Sequence, residues 1–193
     1  MNKILVYDMG SRFTSDVIEC IESLNVEVKK VDHTFKADEI EDDIKGIVIT
    51  GSKDNISDGS GFRTIDEKVY KLNIPIMGIC YGHQLTNYLL GGKVIKASVP
   101  EQGERQLEVI KQSPIFKGMD KIQNVMMYHN DEVEELGKGL EIIAKTKDCK
   151  VAACHNLDKK IFVLQFHPEA EHSEHGLMFF KNFIQICGLW FLI

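Results

Sequence analysis

Pro75-Ile-Met-Gly-Ile-Cys80-Tyr-Gly-His-Gln-Leu85 is the stretch on which the reading of this chain turns. A short apolar run, ending at Gly78-Ile79, leads into Cys80-Tyr81-Gly82 and then at once into a helix-forming segment. Gly-x-nucleophile-x-Gly between a strand and a helix is the pattern of a nucleophile elbow, a turn so tight that it lifts the central side chain above the sheet edge. At the start of a helix, Cys80 would meet free N–H groups and the positive end of the dipole, which favour a thiolate. The same N–H groups are candidate donors to an oxyanion. A cysteine taken alone is most often a small buried hydrophobe. Two flanking glycines at a strand-to-helix switch argue instead for a nucleophile.

A nucleophile needs a base, and Ile161-Phe-Val-Leu-Gln-Phe166 supplies a candidate. This run reads as a buried strand and ends in His167-Pro168-Glu169. Pro168 stops the strand pairing and bends the chain where His167 is presented. Glu169 is close enough in sequence to orient the imidazole, as the third member of a triad does. Apart, the two motifs say little. Together they propose Cys80, His167 and Glu169 as a catalytic unit.

Outward from the elbow, strands alternate with helices. Lys3–Tyr7, Glu27–Val31, Gly46–Thr50 and Ile74–Gly78 read as strands; Thr14–Leu24, Ala37–Ile44 and Thr64–Leu72 read as helices. That alternation predicts βαβ units and a parallel sheet, whose ligands bind beyond the carboxyl ends of the strands. Asp8, Gly51 and Cys80 all fall there. Past Gly91-Gly92 come Lys93–Lys96, Gln106–Ile110, Gln123–Tyr128, Leu140–Thr146, Val151–His155 and Ile161–Phe166, read as an antiparallel patch of the same domain. His175–Cys187 closes the fold as a helix with Gly188 as its C-cap. The expected fold class is therefore α/β: a mostly parallel central sheet with flanking helices and a small antiparallel extension, flavodoxin-like. All 193 residues are expected to form one domain, with an apolar tail at 189–193 of no evident role.

Composition narrows the partners. The formal charge is −6 and no lysine/arginine cluster appears, which argues against nucleic acid. No apolar run approaches the ~20 residues of a membrane span. Met1-Asn-Lys-Ile-Leu-Val-Tyr7 runs straight into a strand and does not read as a signal peptide. Five scattered cysteines without Cys-x-x-Cys pairs suit a reducing compartment, and the expected home is the cytoplasm. Neither a Gly-x-x-x-x-Gly-Lys-Ser/Thr loop nor a Gly-x-Gly-x-x-Gly loop is present. His167, Glu169, Glu171, His172 and His175, with Cys149 and Cys154, match no zinc spacing, and a metal there would consume the base; no metal is expected.

Gly78-Ile-Cys80-Tyr-Gly-His-Gln84 and Gln165-Phe-His167-Pro-Glu169 resemble the two signatures of class I, triad-type glutamine amidotransferases. Within that class, Tyr7-Asp-Met-Gly-Ser-Arg-Phe-Thr14, Pro100-Glu-Gln-Gly-Glu104, Tyr128-His-Asn-Asp-Glu-Val133 and Gly176–Gly188 are similar to segments of the glutaminase part of GMP synthases. The resemblance implies hydrolysis of glutamine through a cysteine thioester, with ammonia passed to an ATP-dependent synthetase subunit or domain that aminates XMP. Other glutaminases of the class, serving anthranilate, aminodeoxychorismate or carbamoyl phosphate synthesis, and a free-standing γ-glutamyl hydrolase are the alternatives. A non-catalytic binding module on the same fold is another. The ATP-using part's pyrophosphate loop is absent, so no cofactor is expected in this chain; ATP and magnesium would sit on the partner.

The resemblance also implies roles residue by residue. Tyr81 N–H and an N–H from the Gly51-Ser52 loop would form the oxyanion hole. Gln84 and the backbone at Asn130 and Asp131 would hold the glutamine. His129 and Asp131 would serve the partner interface, unless Tyr128–Asp131 is only a polar turn between strands. Two residues depart from the family pattern. The family's Gly-Gly-Pro is Gly51-Ser52-Lys53 here, and a positive φ at Ser52 would cost about 1 kcal/mol more than at glycine. From this follows the expectation that the hole is misformed in isolation and set by a partner. Arg12 stands where glutamine is usual.

Overall fold

Apolar runs buried on both faces build the centre of the sheet. In the computed structural model, which describes residues 2–189, the strands are β1 (Lys3–Asp8), β2 (Glu27–Asp32), β3 (Ile44–Ile49), β4 (Ile76–Ile79), β5 (Lys93–Val109), β6 (Ile122–Glu135), β7 (Glu141–Lys145), β8 (Ala153–Asn156) and β9 (Ile161–Leu164). The helices are α1 (Thr14–Glu22), α2 (Tyr81–Leu89) and α3 (Gly176–Ile186). One sheet runs β2-β1-β3-β4-β9-β8-β7-β5-β6, parallel from β2 through β9 and antiparallel from β9 to β6. The order reverses between β1 and β3, so a crevice opens beyond their carboxyl ends, beside the end of β4.

Alternation along the strands divides the core into two layers. Ile4 and Val6 pack with Val17, Ile21, Phe179, Phe180 and Phe183 on the α1/α3 face. Leu5 and Tyr7 pack with Tyr81, Leu85, Val69 and Tyr70 on the α2 face. Each fully buried side chain of this size contributes about 1.5–3 kcal/mol. At one edge, β2 is half polar and carries Lys29 and Lys30, which discourages pairing with another chain. At the other, β6 is covered by the segment after β9: His167 N–H donates to Met126 O and Glu174 N–H to Asn124 O, both at 2.9 Å.

Three expectations shift. The helices expected at Ala37–Ile44 and Thr64–Leu72 are only 3₁₀ turns, Ala37–Glu39 and Glu67–Lys71. Like charges crowd Asp38-Glu39-Ile40-Glu41-Asp42-Asp43, and aspartate is a poor helix former. The separate strands at Lys93–Lys96 and Gln106–Ile110 are one strand, β5, interrupted by a bulge: Lys96 pairs with Asp131 and Glu101 with His129, so four residues on β5 oppose one on β6. Tyr128–Asp131 is consequently not a turn but the middle of β6. Of the apolar tail, only Leu189 lies among the described residues; it packs against the α1/α3 layer.

Candidate active site

Cys80 is the single residue between β4 and α2, with φ 52° and ψ −102°. A positive φ at a non-glycine residue costs on the order of 1–3 kcal/mol and persists only where its surroundings enforce it. The enforcement is visible. Cys80 N–H donates to Leu164 O at 2.7 Å, and Cys80 O accepts from the N–H groups of His83 and Gln84. A Cβ on Gly82 would stand 2.2 Å from Ile49 O, and one on Gly78 would stand 2.7 Å from Gly82 O. The two glycines therefore let α2 press onto β3 and β4, while the strained dihedral belongs to the cysteine. As the first residue of α2, Tyr81 leaves its N–H without an intrahelical acceptor.

His167 follows β9 by three residues and is tied to β6 through Met126 O. Its Nδ1 donates to Glu169 Oε1 at 2.7 Å, which leaves Nε2 to interact with Cys80, whose thiol lies 3.5 Å from Tyr128 O. Burial alone would disfavour the imidazolium. The charge and hydrogen bond of Cys80, followed by Glu169, outweigh it and raise the His167 pKa to about 10. The imidazole therefore keeps its second proton to a higher pH than a free histidine does. Phe13 and Tyr128 flank the ring, with centroids 5.0 and 5.6 Å away.

Cys80 and His167 line a cavity of about 470 Å³ whose wall includes Arg12, Ser52, Gln84, Tyr128 and Asn130. Gln84 Nε2 donates to Asp131 O at 2.9 Å and to Gln165 Oε1 at 3.1 Å. Gln165 Nε2 in turn lies 3.7 Å from Cys80 Sγ. The cavity is thus large enough for an amino acid, polar along one wall, and lined by Cys80 and by His167, behind whose ring stands the Glu169 carboxylate.

The sequence pattern of the family Glutamine amidotransferase class-I matches residues 5–187. This chain belongs to that family. A GMP synthase [glutamine-hydrolyzing] of Clostridium tetani is 37% identical over 98% of this chain, and one of Lactobacillus johnsonii is 38% identical over 97%. The chain spans 38% and 37% of the length of those two relatives. A protein of Thermoplasma acidophilum that bears the name of a GMP synthase subunit superposes with a TM-score of 0.88 at 32% identity, covering 97% of this chain and 94% of that one. A glutamine amidotransferase of Thermotoga maritima shares the fold, with a TM-score of 0.68 at 18% identity, covering 96% of this chain and 81% of that one.

In this amidotransferase the loop after β3 forms the cavity's other wall. A Cβ on Gly51 would stand 3.4 Å from His167 Cε1, so the loop lies against the imidazole. Neither Gly51 nor Ser52 takes a positive φ, and the strain expected from a serine there does not arise. Ser52 Oγ instead accepts from Asp54 N–H at 3.1 Å. Asp54 holds Arg63 through both backbone and guanidinium, and Tyr81 O–H donates to Arg63 O. The Asp131 carboxylate accepts from Ser57 N–H at 2.9 Å and Ser57 Oγ at 2.5 Å, closing the loop onto β6.

Asn130 is exposed on the cavity wall. The side chains of His129 and Asp131 are buried within this chain, His129 against Glu101 and Asp131 against Ser57. Sequence reasoning gave no role to Gln165, Ser57, Phe13 or Glu101. Gln165, Phe13 and Glu101 stood inside quoted motifs, without a role; Ser57 reaches the site only through its tertiary contact with Asp131.

Proposed function

We propose that this chain is the glutaminase component of a GMP synthase, hydrolysing glutamine to glutamate and ammonia and passing the ammonia to an ATP-dependent synthetase that aminates XMP to GMP. The observation that carries the reading is an amino-acid-sized cavity lined by both Cys80 and His167, with Glu169 hydrogen-bonded to the far side of the imidazole. Cys80 Sγ attacks the side-chain amide carbon, and the developing oxyanion is met by Tyr81 N–H and a loop N–H at Gly51-Ser52. The C–N bond breaks as the nitrogen takes the proton from His167, leaving a γ-glutamyl thioester and ammonia. Water then gives a proton to His167 and attacks the thioester; the sulfur departs with glutamate as product. Glu169 holds the ring with Nδ1 protonated throughout. Gln84 and the backbone of Asn130 and Asp131 hold the amino-acid end of the substrate.

The pathway rests on the names of the relatives, which this chain matches along nearly all of its own length. In this reading the chain works in the cytoplasm without a cofactor or metal of its own, and ATP and magnesium belong to the synthetase. Among the described residues no helix is long and apolar enough to cross a membrane. The test is reconstitution with a synthetase captured on the tagged chain. Glutamine should support XMP amination, and Cys80→Ala should abolish glutamine-driven but not ammonia-driven GMP formation. Glutamine hydrolysis without XMP amination would move the chain to another pathway. Failure of any glutamine turnover, with partner present, would end the glutaminase assignment.

A further inference from the structure

Behind the cavity wall lies a buried acid–imidazole pair that the triad does not use. Glu101 and His129 are cross-strand neighbours in the β5–β6 hairpin, immediately beside the bulge. Glu101 is 0% exposed and His129 3%. Glu101 Oε2 lies 3.0 Å from His129 Nε2, and Glu101 Oε1 accepts from Thr146 Oγ1 at 2.7 Å, with Arg105 Nε 3.6 Å away. His129 Nδ1 lies 2.9 Å from Asp131 O. A carbonyl oxygen only accepts, so Nδ1 carries the hydrogen.

That carbonyl is the one to which Gln84 donates, and Gln84 continues through Gln165 to Cys80 Sγ. An unbroken chain of buried hydrogen bonds therefore runs from Glu101 on β5 to the nucleophile at the end of β4. Burying a carboxylate completely is costly even when it is paired, and apolar residues of similar volume would hold two strands together as well. What an apolar pair cannot do is fix the direction of a carbonyl. Glu101, His129 and Cys149 also bring potential ligand atoms within 4.8 Å of one another. The guanidinium of Arg105 beside Glu101, and the hydrogen bonds that already occupy both carboxylate oxygens, favour a hydrogen-bonded pair over a cation site.

We propose that Glu101 and His129 are positioning residues for the amino-acid end of the substrate: Glu101 orients the His129 ring, whose Nδ1–H sets the Asp131 carbonyl, which sets Gln84 on the cavity wall. The inference rests on the glutaminase reading above and deepens it. One lost hydrogen bond of this kind is worth on the order of 1–1.5 kcal/mol, roughly tenfold in binding.

The test labels Cys80 with two electrophiles, a glutamine-like chloroketone that must occupy the cavity and iodoacetamide, which need only meet the sulfur. Glu101→Leu and His129→Gln should slow chloroketone labelling about tenfold and leave iodoacetamide within about twofold. Glu101→Gln can still donate to Nε2, and His129→Asn keeps a donor near the Nδ1 position; both should label within about threefold of the parent protein. Cys149→Ser should label at the parent rate. A parallel fall of both reagents would mean general loss of structure and overturn the proposal, as would chloroketone labelling unchanged in Glu101→Leu and His129→Gln. Stoichiometric zinc lost in Cys149→Ser together with labelling would replace the pair by a metal site. If the parent protein reacts with iodoacetamide but never with the chloroketone, the glutaminase reading itself fails and takes this inference with it.

Discussion

The cavity has two sides built on opposite principles. The β4–α2 side is set by contact between main chains: Gly78 and Gly82 bring backbone within reach of backbone, and Cys80 is held at φ 52° with nowhere else to go. The β5–β6 side is set by polar side chains, with Glu101, His129 and Asp131 buried among their hydrogen-bond partners. Steric exclusion is all-or-none, whereas a hydrogen-bond network gives way in steps of about 1 kcal/mol. The nucleophile should therefore fail abruptly under substitution, and the wall gradually. Deleting the nucleophile marks the abrupt extreme: Cys80→Ala should lower glutamine hydrolysis at least about a thousandfold, read by ammonia release from protein that is still folded.

Gly82→Ala puts the same contrast to stability. Its Cβ would lie 2.2 Å from Ile49 O, a backbone atom of β3 that cannot step aside. Urea denaturation should report a loss of about 3 kcal/mol or more. A loss below about 1 kcal/mol would mean that α2 is free to slide, and the two sides would no longer differ in kind.

Glu169→Gln tests whether the triad is rigid or tunable. The amide removes the charge beside Nδ1, and kcat should fall roughly a hundredfold. The pH dependence has a definite sign. His167 has a folded pKa of about 10, above the unfolded value near 6.5. Its contribution to stability is complete below about pH 6.5 and is lost as pH rises through about 10. The stability gap between the parent protein and His167→Ala should narrow across that window in urea titrations. A gap that widens with rising pH would refute the imidazolium. On the wall, Ser57→Ala removes one of the two bonds that close the loop onto Asp131, and should raise KM for glutamine about threefold while leaving kcat alone.

The same division separates what the sequence disclosed from what it hid. β1, β3 and β4 were legible because burial on both faces leaves nearly uninterrupted apolar runs. The elbow was legible because main-chain crowding tolerates only glycine at 78 and 82. The wall was not, because Pro100 and the four-residue bulge disguise one long strand as two, and a buried glutamate reads as a surface residue until its partner is seen. Nothing local marks Ser57 either, since its partner Asp131 is 74 residues away. The expected helices at Ala37–Ile44 and Thr64–Leu72 erred in the other direction: each is only a short 3₁₀ turn, and in the first the crowding of like charges opposes a longer helix.

Arg12 is the smallest lever on the site and the most informative about where the wall ends. Its guanidinium lies 4.6 Å from the Phe13 ring centroid and 5.4 Å from that of Tyr128, and both rings flank His167. Arg12 is exposed, so its stacking is worth about 0.5–1 kcal/mol. Because the rings, not the cation, touch the imidazole, Arg12→Gln should lower kcat/KM by no more than about fivefold, and Phe13→Ala should lower it further. If Arg12→Gln instead proves the more damaging of the two, the cation must act on the substrate directly. The charged rim would then belong with the abrupt side of the cavity and not with the gradual one.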